Sequence, residues 1–266
     1  MTDLTIVIPV YNEAPTISSV IDRVLRSRRS DWQIIVVDDG STDETPSILK
    51  SIQSDEFEFV LNPENQGKTA AVLTGLSMAK GKWVIVQDAD LEYDPAEIGT
   101  LLDAASNDSP VVYGRRPSCW EMPSRWILAS GVLFFDLCLL VVYRRWVRDH
   151  ASCYKLVPRD ALRSFNLCST GFEGCIEITA KLMRTGVSIS QVPISYSPRR
   201  ADEGKKLTVA YGWEALRSVW RWRRWRLPDP ASQPALAEKQ FGHVDGGHTV
   251  PQPAELAEPL RTRSLQ

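Results

Sequence analysis

The sequence predicts an α/β fold with a mostly parallel central sheet. In the first half of the chain, short β-branched runs alternate with amphipathic segments of helical length, as in repeated β-α units. Acidic and turn-forming residues follow the apolar runs, as ligand-binding loops do at the carboxyl edge of such sheets. The 266 residues are enough for one large domain with a full hydrophobic core, or for two small ones.

Turn and capping residues set the predicted boundaries of the elements. Pro95 suits the first turn of a helix, Gly81 ends a helix, and Pro110 introduces a strand. No Gly-x-Gly-x-x-Gly and no Walker lysine loop follows any strand, which argues against a dinucleotide oxidoreductase and a P-loop NTPase. We predict strands at Leu4–Val10, Gln33–Asp38, Phe57–Leu61, from Val84 onward and at Val111–Tyr113, and helices at Ala14–Leu25, Glu44–Ile52, Lys68–Lys80 and Pro95–Ala105.

The net charge of −2 conceals two halves of opposite sign. Residues 1–112 contain 8 Lys and Arg against 19 Asp and Glu, whereas residues 113–226 contain 20 against 9. A basic half beside an acidic half suits an anionic partner, and nucleic acid and an anionic membrane surface are both candidates. Residues 227–266 are rich in Pro, Ala and Gln without periodicity, and we expect a disordered tail there.

The segment Trp126–Tyr143 is apolar nearly all round and would cover roughly 27 Å as a helix, which is marginal for crossing a bilayer. Asp136 lies near its centre and would cost about 3 kcal/mol on insertion scales. Because arginines flank both ends, we expect a helix lying in the membrane interface, with a buried core helix as the alternative.

A second segment, Tyr211–Trp225, mixes tryptophans and arginines as a headgroup layer does, with a nucleic-acid helix as the competing interpretation. We expect Trp213, Trp220 and Trp222 to contact lipid. The five cysteines form no Cys-x-x-Cys pair and predict reduced thiols without a zinc site, and no secretory signal precedes the first strand. We therefore expect a cytoplasmic protein bound peripherally to the inner face of the membrane, with no nucleic-acid partner.

The strand beginning at Val84 runs directly into three carboxylates, Asp88, Asp90 and Glu92. Carboxylates crowded at a strand end repel one another and lose hydration when they are covered. A divalent cation removes both difficulties, and Mg²⁺ or Mn²⁺ takes its ligands from one or two carboxylates, water and substrate phosphates. The pattern predicts a metal site that carries a diphosphate.

Four further segments bring suitable side chains to the carboxyl ends of strands. They supply an aromatic ring for stacking a base, acids for ribose hydroxyls, a lysine (Lys68) and an arginine. Collected in one crevice with the metal, these groups predict a nucleotide-sugar site. The segments are 8–13, 36–41, 62–68 and 113–116.

The same motifs resemble those of family 2 glycosyltransferases, and within them the dolichyl-phosphate mannose synthase and bacterial polyprenyl-phosphate sugar transferase type. The resemblance extends from about Thr5 to Arg226, so it covers all but the tail. It rests on Val-Ile-Pro-Val-Tyr-Asn-Glu, Val-Val-Asp-Asp-Gly-Ser-Thr-Asp, Asn-Gln-Gly-Lys, Asp-Ala-Asp-Leu-Glu, Tyr-Gly-Arg-Arg, Asp149 with Cys-Tyr-Lys, Gly-Phe-Glu, and Val-Pro-Ile followed by Arg199 and Glu-Gly-Lys-Lys.

The resemblance implies a GT-A-like nucleotide-sugar domain over 1–226, with a donor half at 1–114 and an acceptor and membrane half at 115–226. Asp90 and Glu92 would bind Mg²⁺ or Mn²⁺. The implied nucleotide-sugar contacts are Pro9, Tyr11, Glu13, Val37, Asp39, Asp88, Ala89, Asp90, Arg116, Arg199 and Lys205, beside the lysine at position 68. Glu92 replaces a more usual Gln, and His150 departs from the family pattern; as an isolated histidine it is expected at the surface.

The implied reaction is the inverting transfer of a hexose, mannose or glucose, from GDP-mannose or UDP-glucose to a polyprenyl phosphate. Because that acceptor is already an anion, no general base is required. The catalytic candidates are then Asp90 at the metal, and Arg116 and Arg125 at the acceptor phosphate. Two alternatives stay open. One is transfer to a saccharide or protein hydroxyl, with Glu173 or Glu177 as the base, although acids on a helix are more commonly solvated. The other is a non-catalytic nucleotide-sugar-binding membrane protein.

Overall fold

Strands, helices and loops are described here from a computed structural model, which covers residues 2–117, 126–171, 173–199 and 209–228. Within these residues, seven strands form one sheet in the order β3-β2-β1-β4-β6-β5-β7. The strands are β1 Leu4–Val10, β2 Trp32–Asp38, β3 Glu58–Leu61, β4 Trp83–Val86, β5 Val111–Arg115, β6 Lys155–Pro158 and β7 Ile189–Pro193. The helices are α1 Ile17–Ser27, α2 Thr45–Ser51, α3 Lys68–Met78, α4 Ile98–Asp103, α5 Trp126–Tyr143, α6 Arg159–Ser164, α7 Gly174–Thr185 and α8 Val209–Arg221.

The mostly parallel sheet predicted from the sequence is confirmed. β1 pairs in parallel with β2 and β4, β2 with β3, and β5 with β7. Only β6, among the described strands, runs against its neighbours. Seven consecutive residues of β1 are buried, as expected for a parallel strand with both faces covered. The carboxyl ends of β1, β2 and β4 therefore open at one edge.

Element boundaries differ from the prediction mainly where loops carry site residues. α1 begins at Ile17 rather than Ala14, because residues before it form a turn in which the Glu13 carbonyl accepts the N–H groups of Thr16 and Ile17. Asn12, just upstream, has a left-handed backbone with φ 54°. The helix predicted from Pro95 begins as one 3-10 turn before α4 continues it.

Helix α5 has the predicted bounds, and its two faces differ. Leu133, Leu137 and Val141 lie exposed along one stripe, whereas Asp136 and Leu139 are buried. Among the described residues, no helix combines the length and the apolar character that crossing a membrane requires.

Helix α8 is amphipathic and is extended by a 3-10 turn over Trp222–Arg224. Trp213 and Trp220 are exposed, as predicted. The prediction that Trp222 contacts lipid is wrong, because its side chain is buried and its indole N–H donates to Ser218 Oγ at 3.2 Å. The Tyr143 hydroxyl donates to the Val219 carbonyl at 2.7 Å and joins α5 to α8.

Candidate active site

Asp39 holds the loop before α3 against the end of β2. Its carboxylate accepts the backbone N–H groups of Gln66 at 3.1 Å and Gly67 at 2.8 Å. Gly67 has φ 96°, and a Cβ there would lie 2.4 Å from the Thr170 carbonyl oxygen, so only glycine fits. Asp39 thereby sets the position of Lys68, the first residue of α3.

Two predicted nucleoside contacts lie inside the sheet. Pro9 and Val37 are paired in parallel register and are both buried, and the Val37 side chain belongs to the hydrophobic core with Ile35. Only backbone atoms of this pair are available to a ligand at the strand ends. Tyr11 is half-buried just beyond β1, where the Asn12 N–H donates to Ser41 Oγ at 2.8 Å and ties the two loops together.

The acids after β4 are unequally neutralised. Lys68 forms an ion pair with Asp88, and Ala89 is buried between the acids with its carbonyl bound by Thr16. Burial, together with the charges of Asp88 and Glu92, raises the pKa of Asp90 to about 7. A carboxyl group that is forced toward protonation by its neighbours is stabilised in its charged form by a cation.

Arg199 contacts the acids on one side of the site, which are Glu13, Asp90 and Glu92 and form the acidic group. Its guanidinium binds Glu13 in a bidentate ion pair at 2.6 and 3.1 Å, and its Nε donates to the Asp90 carbonyl at 2.9 Å. The Glu92 carboxylate accepts the Arg199 backbone N–H at 2.9 Å and the Tyr196 hydroxyl at 2.6 Å. β7 and the segment after it are thus fastened to the loop after β4.

Arg116 lies on the other side of Tyr196, with its guanidinium carbon 4.9 Å from the ring centre. Asp149 fixes this arginine, because its carboxylate accepts the Arg116 backbone N–H at 2.9 Å and two guanidinium N–H groups, the shorter at 2.5 Å. Burial opposes the charge on Arg116, but Tyr93 and Asp149 outweigh it and raise the pKa of the guanidinium. Arg116 is therefore a fixed cation beside the acidic group.

The donor set suits a hard cation held partly by its substrate. In the part of the chain that the structure describes, no three His, Cys, Asp or Glu side chains form a ready metal cage. One carboxylate with water and phosphate oxygens is the arrangement that Mg²⁺ commonly uses. Asp90 fits this requirement, since its carboxylate accepts the backbone N–H of Glu92 and is crowded by like charge. Both oxygens of Glu92 already accept hydrogen bonds, so Asp90 is the better placed ligand.

The structure brings most of the predicted residues together. Glu13, Asp90, Glu92 and Arg199 are in direct contact, and Tyr196 links them to Arg116. Two further candidates, Arg125 and Lys205, lie outside the described residues. Tyr196 was missed by sequence reasoning, because a tyrosine in a loop after a strand carries no local signal.

The two acids considered as a base for a hydroxyl acceptor are both engaged. Glu177 is fully buried in an ion pair with Lys181, so the expectation of a solvated acid is wrong. Its carboxylate also accepts the N–H groups of Cys168 and Ser169. Glu173 accepts the Thr170 N–H at 3.1 Å at the start of α7.

His150 also departs from its prediction. It was expected at the surface, but only 3% of its area is exposed, and its Nδ1 lies 2.6 Å from an Asp136 carboxylate oxygen. The partner is 14 residues away, on a helix that the sequence shows as apolar, so the pairing could not be read locally.

Comparison with known proteins decides the family. The profile described as Glycosyl transferase family 2 matches residues 5–165, more than half of the chain. The chain belongs to this family. The resemblance inferred from the motifs is therefore confirmed.

Two of the curated relatives have names that include a lipid phosphate. The chain is 31% identical over 167 residues to an undecaprenyl-phosphate 4-deoxy-4-formamido-L-arabinose transferase of Aeromonas hydrophila, covering 56% of this chain and 51% of that protein. It is 25% identical over 229 residues to a dolichol-phosphate mannosyltransferase of Pyrococcus furiosus. That match covers 84% of this chain and 64% of that protein. The chain thus spans between about half and two thirds of the length of these relatives.

Solved structures of other proteins share the fold. Glucosyl-3-phosphoglycerate synthase from Mycobacterium tuberculosis, crystallised with Mn²⁺, uridine diphosphate and phosphoglyceric acid, superposes with a TM-score of 0.66 at 20% identity. The match covers 86% of this chain and 80% of that one. The GT-A-like architecture expected from the resemblance is confirmed by this likeness.

Proposed function

We propose that this protein transfers a hexose from a nucleotide sugar to a polyprenyl phosphate, with inversion at the anomeric carbon and with Mg²⁺ or Mn²⁺ as cofactor. The single observation that carries the proposal is the cluster of acids at the strand ends, flanked by Lys68, Arg116 and Arg199. Such an arrangement suits a diphosphate whose charge is neutralised partly by protein cations and partly by a metal.

In this proposal Asp90 would ligate the metal, with Glu92 beside it, and the metal would supply positive charge to the departing nucleoside diphosphate. Lys68 and Arg199 orient the acids and face the diphosphate, together with Lys205. Tyr11, Glu13 and Asp39, with the backbone of Pro9 and Val37, surround the nucleoside, and Asp88 and Ala89 lie at the ribose. The crystallised relative with Mn²⁺ and uridine diphosphate supports a metal and a nucleotide of this kind.

The acceptor is proposed as a polyprenyl phosphate held by Arg116 and Arg125. A phosphate monoester is an anion near neutral pH and can attack without a general base. Both acids considered as a base are already engaged, Glu177 in a buried ion pair and Glu173 with a backbone N–H, which favours an anionic acceptor over a hydroxyl. The names of the relatives point to the same class of acceptor.

We place the protein peripherally on the cytoplasmic face of the membrane. The exposed stripe Leu133, Leu137 and Val141 on α5, and exposed Trp213 and Trp220 on α8, support this placement. Exposed arginines border the tryptophans of α8 and attract anionic headgroups.

The test is to incubate purified protein with Mg²⁺ or Mn²⁺, UDP-glucose or GDP-mannose, and a short polyprenyl phosphate, and to identify lipid-linked sugar by mass spectrometry. We expect product with one donor and none with Asp90→Asn or in excess EDTA. Sugar appearing only on added saccharide or peptide hydroxyls would show the alternative transferase. Donor binding without any product would show a non-catalytic binding protein.

A further inference from the structure

Helix α5 carries one buried carboxylate, and its partners lie in the loop that fixes Arg116. Asp136 is 3% exposed. Its Oδ2 accepts the Asp149 N–H at 2.8 Å, and its Oδ1 accepts the His150 N–H at 3.1 Å. Oδ1 also lies 2.6 Å from His150 Nδ1, where a protonated ring nitrogen donates. Asp136 therefore fastens two consecutive backbone amides and one ring.

The fastened loop has a backbone that requires this support. Asp149 has φ 56°, in the left-handed region that a residue with a Cβ rarely adopts. Its carboxylate is the group that binds the Arg116 backbone and guanidinium. Asp136 on α5 thus binds the backbone of Asp149, and the Asp149 carboxylate binds the guanidinium, while His150, the next residue, is held by the same Asp136 carboxylate.

The other face of α5 is the exposed stripe of Leu133, Leu137 and Val141. A helix moves as a stiff body, so a change in how this stripe is covered also moves the buried side chain of Asp136 on the same helix. The buried amides of the loop move with it, because leaving them without an acceptor is costly. The Phe135 ring packs edge-on against the His150 ring, with centroids 6.0 Å apart.

We propose that Asp136 and His150 are positioning residues that couple the seating of α5 on an apolar surface to the orientation of Arg116. Lipid that covers the stripe fixes the position of α5. The position of α5 determines that of residues 149–150, and these residues orient the Arg116 guanidinium toward the acceptor phosphate. The inference rests on the proposed function, in which α5 meets the lipid and Arg116 its phosphate.

Three variants separate positioning from packing. His150→Phe keeps the ring and removes the donor to Asp136, whereas His150→Asn returns an N–H near the position of Nδ1. Phe135→Leu is the matched control, since it alters packing on the same ring and leaves the hydrogen bonds in place. KM and kcat are measured for lipid phosphate in anionic vesicles and for nucleotide sugar, with the melting temperature of each variant.

We expect His150→Phe to lower kcat/KM for the lipid phosphate roughly tenfold to a hundredfold, since small misplacement of a binding group can cost about a hundredfold. KM for the nucleotide sugar, measured under the same conditions, stays within about twofold of the wild-type value. His150→Asn recovers most of the loss, and Phe135→Leu lowers the melting temperature without changing either KM. Equal effects on both substrates, or no recovery with Asn, would overturn the coupling.

Hydrogen exchange on the full chain tests the coupling without turnover. Adding anionic vesicles to the wild type should slow exchange both in α5 and at the amides of Asp149 and His150, and His150→Phe should abolish only the second effect. If α5 is protected while these two amides do not respond, the coupling is wrong. If the wild type forms no lipid-linked sugar, the proposed function fails on that result alone, and the exchange experiment still decides the coupling.

Discussion

Asp90 and the buried acids in the second half of the chain have opposite surroundings. Asp90 lies among like charges after β4, and its pKa is raised to about 7 by burial and by those charges. Glu177 is fully buried, but Lys181 and two backbone N–H groups satisfy its carboxylate. Asp136 is satisfied in the same way by residues 149 and 150.

The difference separates binding from positioning. A carboxylate whose neighbours are also negative is stabilised when a cation arrives, so it marks a place for a ligand. A buried carboxylate with all its partners in the protein offers nothing to a ligand and instead fixes the elements that it joins.

The largest expected effect is on stability, from breaking the buried ion pair of Glu177 and Lys181. Lys181→Met should lower the free energy of unfolding by about 3–5 kcal/mol, because it leaves Glu177 buried without its counter-ion. Lys80→Met is the control, since Lys80 is 68% exposed and its ion pair with Glu58 contributes at most about 1 kcal/mol. Urea unfolding of both variants is the measurement, and similar losses in the two would contradict the distinction.

The next largest effect is expected on catalysis, from removing the charge of Asp90. Asp90→Asn should reduce kcat by about 10²–10³, the typical result of removing one electrostatic contact to the developing charge. The free energy of unfolding should not fall, because the substitution relieves repulsion. Asp108→Asn makes the same change of charge at an exposed residue before β5, and its activity should match that of the wild type.

A smaller effect is expected at Tyr196, which links Glu92 to Arg116. Tyr196→Phe keeps the ring beside Arg116 but removes the hydrogen bond to Glu92, and bonds to charged groups contribute about 1.5–3 kcal/mol. We expect roughly a tenfold loss or more in kcat/KM for the nucleotide sugar, measured at saturating lipid phosphate. An unchanged value would show that Glu92 is positioned by Arg199 alone.

The smallest effect concerns the exposed tryptophans of α8. Trp213→Ala and Trp220→Ala should each weaken co-sedimentation with anionic vesicles several-fold while leaving donor affinity intact, because partial burial of an aromatic ring contributes roughly 1 kcal/mol or more. Added salt should weaken binding of the wild type further. Vesicle binding that is insensitive to both substitutions would remove α8 from the membrane contact.

Sequence reasoning succeeded where the signal is local. The parallel half of the sheet follows from alternating runs and caps, and the bounds of α5 follow from a continuous apolar segment. It failed where a partner is distant, as for His150 and Asp136, or for Tyr196 and Glu92, which are 104 residues apart. Distant partners also contribute to the late start of α1, because the N–H groups of Glu13 and Ala14, in the turn before the helix, donate to Thr45 Oγ1 and Asp43 Oδ2.

We propose that Asp90 and its crowded neighbours bind a divalent cation together with the donor diphosphate. Titration of Mn²⁺ into the protein with uridine or guanosine diphosphate, followed by electron paramagnetic resonance of free Mn²⁺, tests it directly. We expect Mn²⁺ binding that requires the nucleotide, that weakens at least tenfold in Asp90→Asn, and that is unchanged in Asp108→Asn. Mn²⁺ binding that is equally strong in Asp90→Asn, or absent from the wild type, would contradict it.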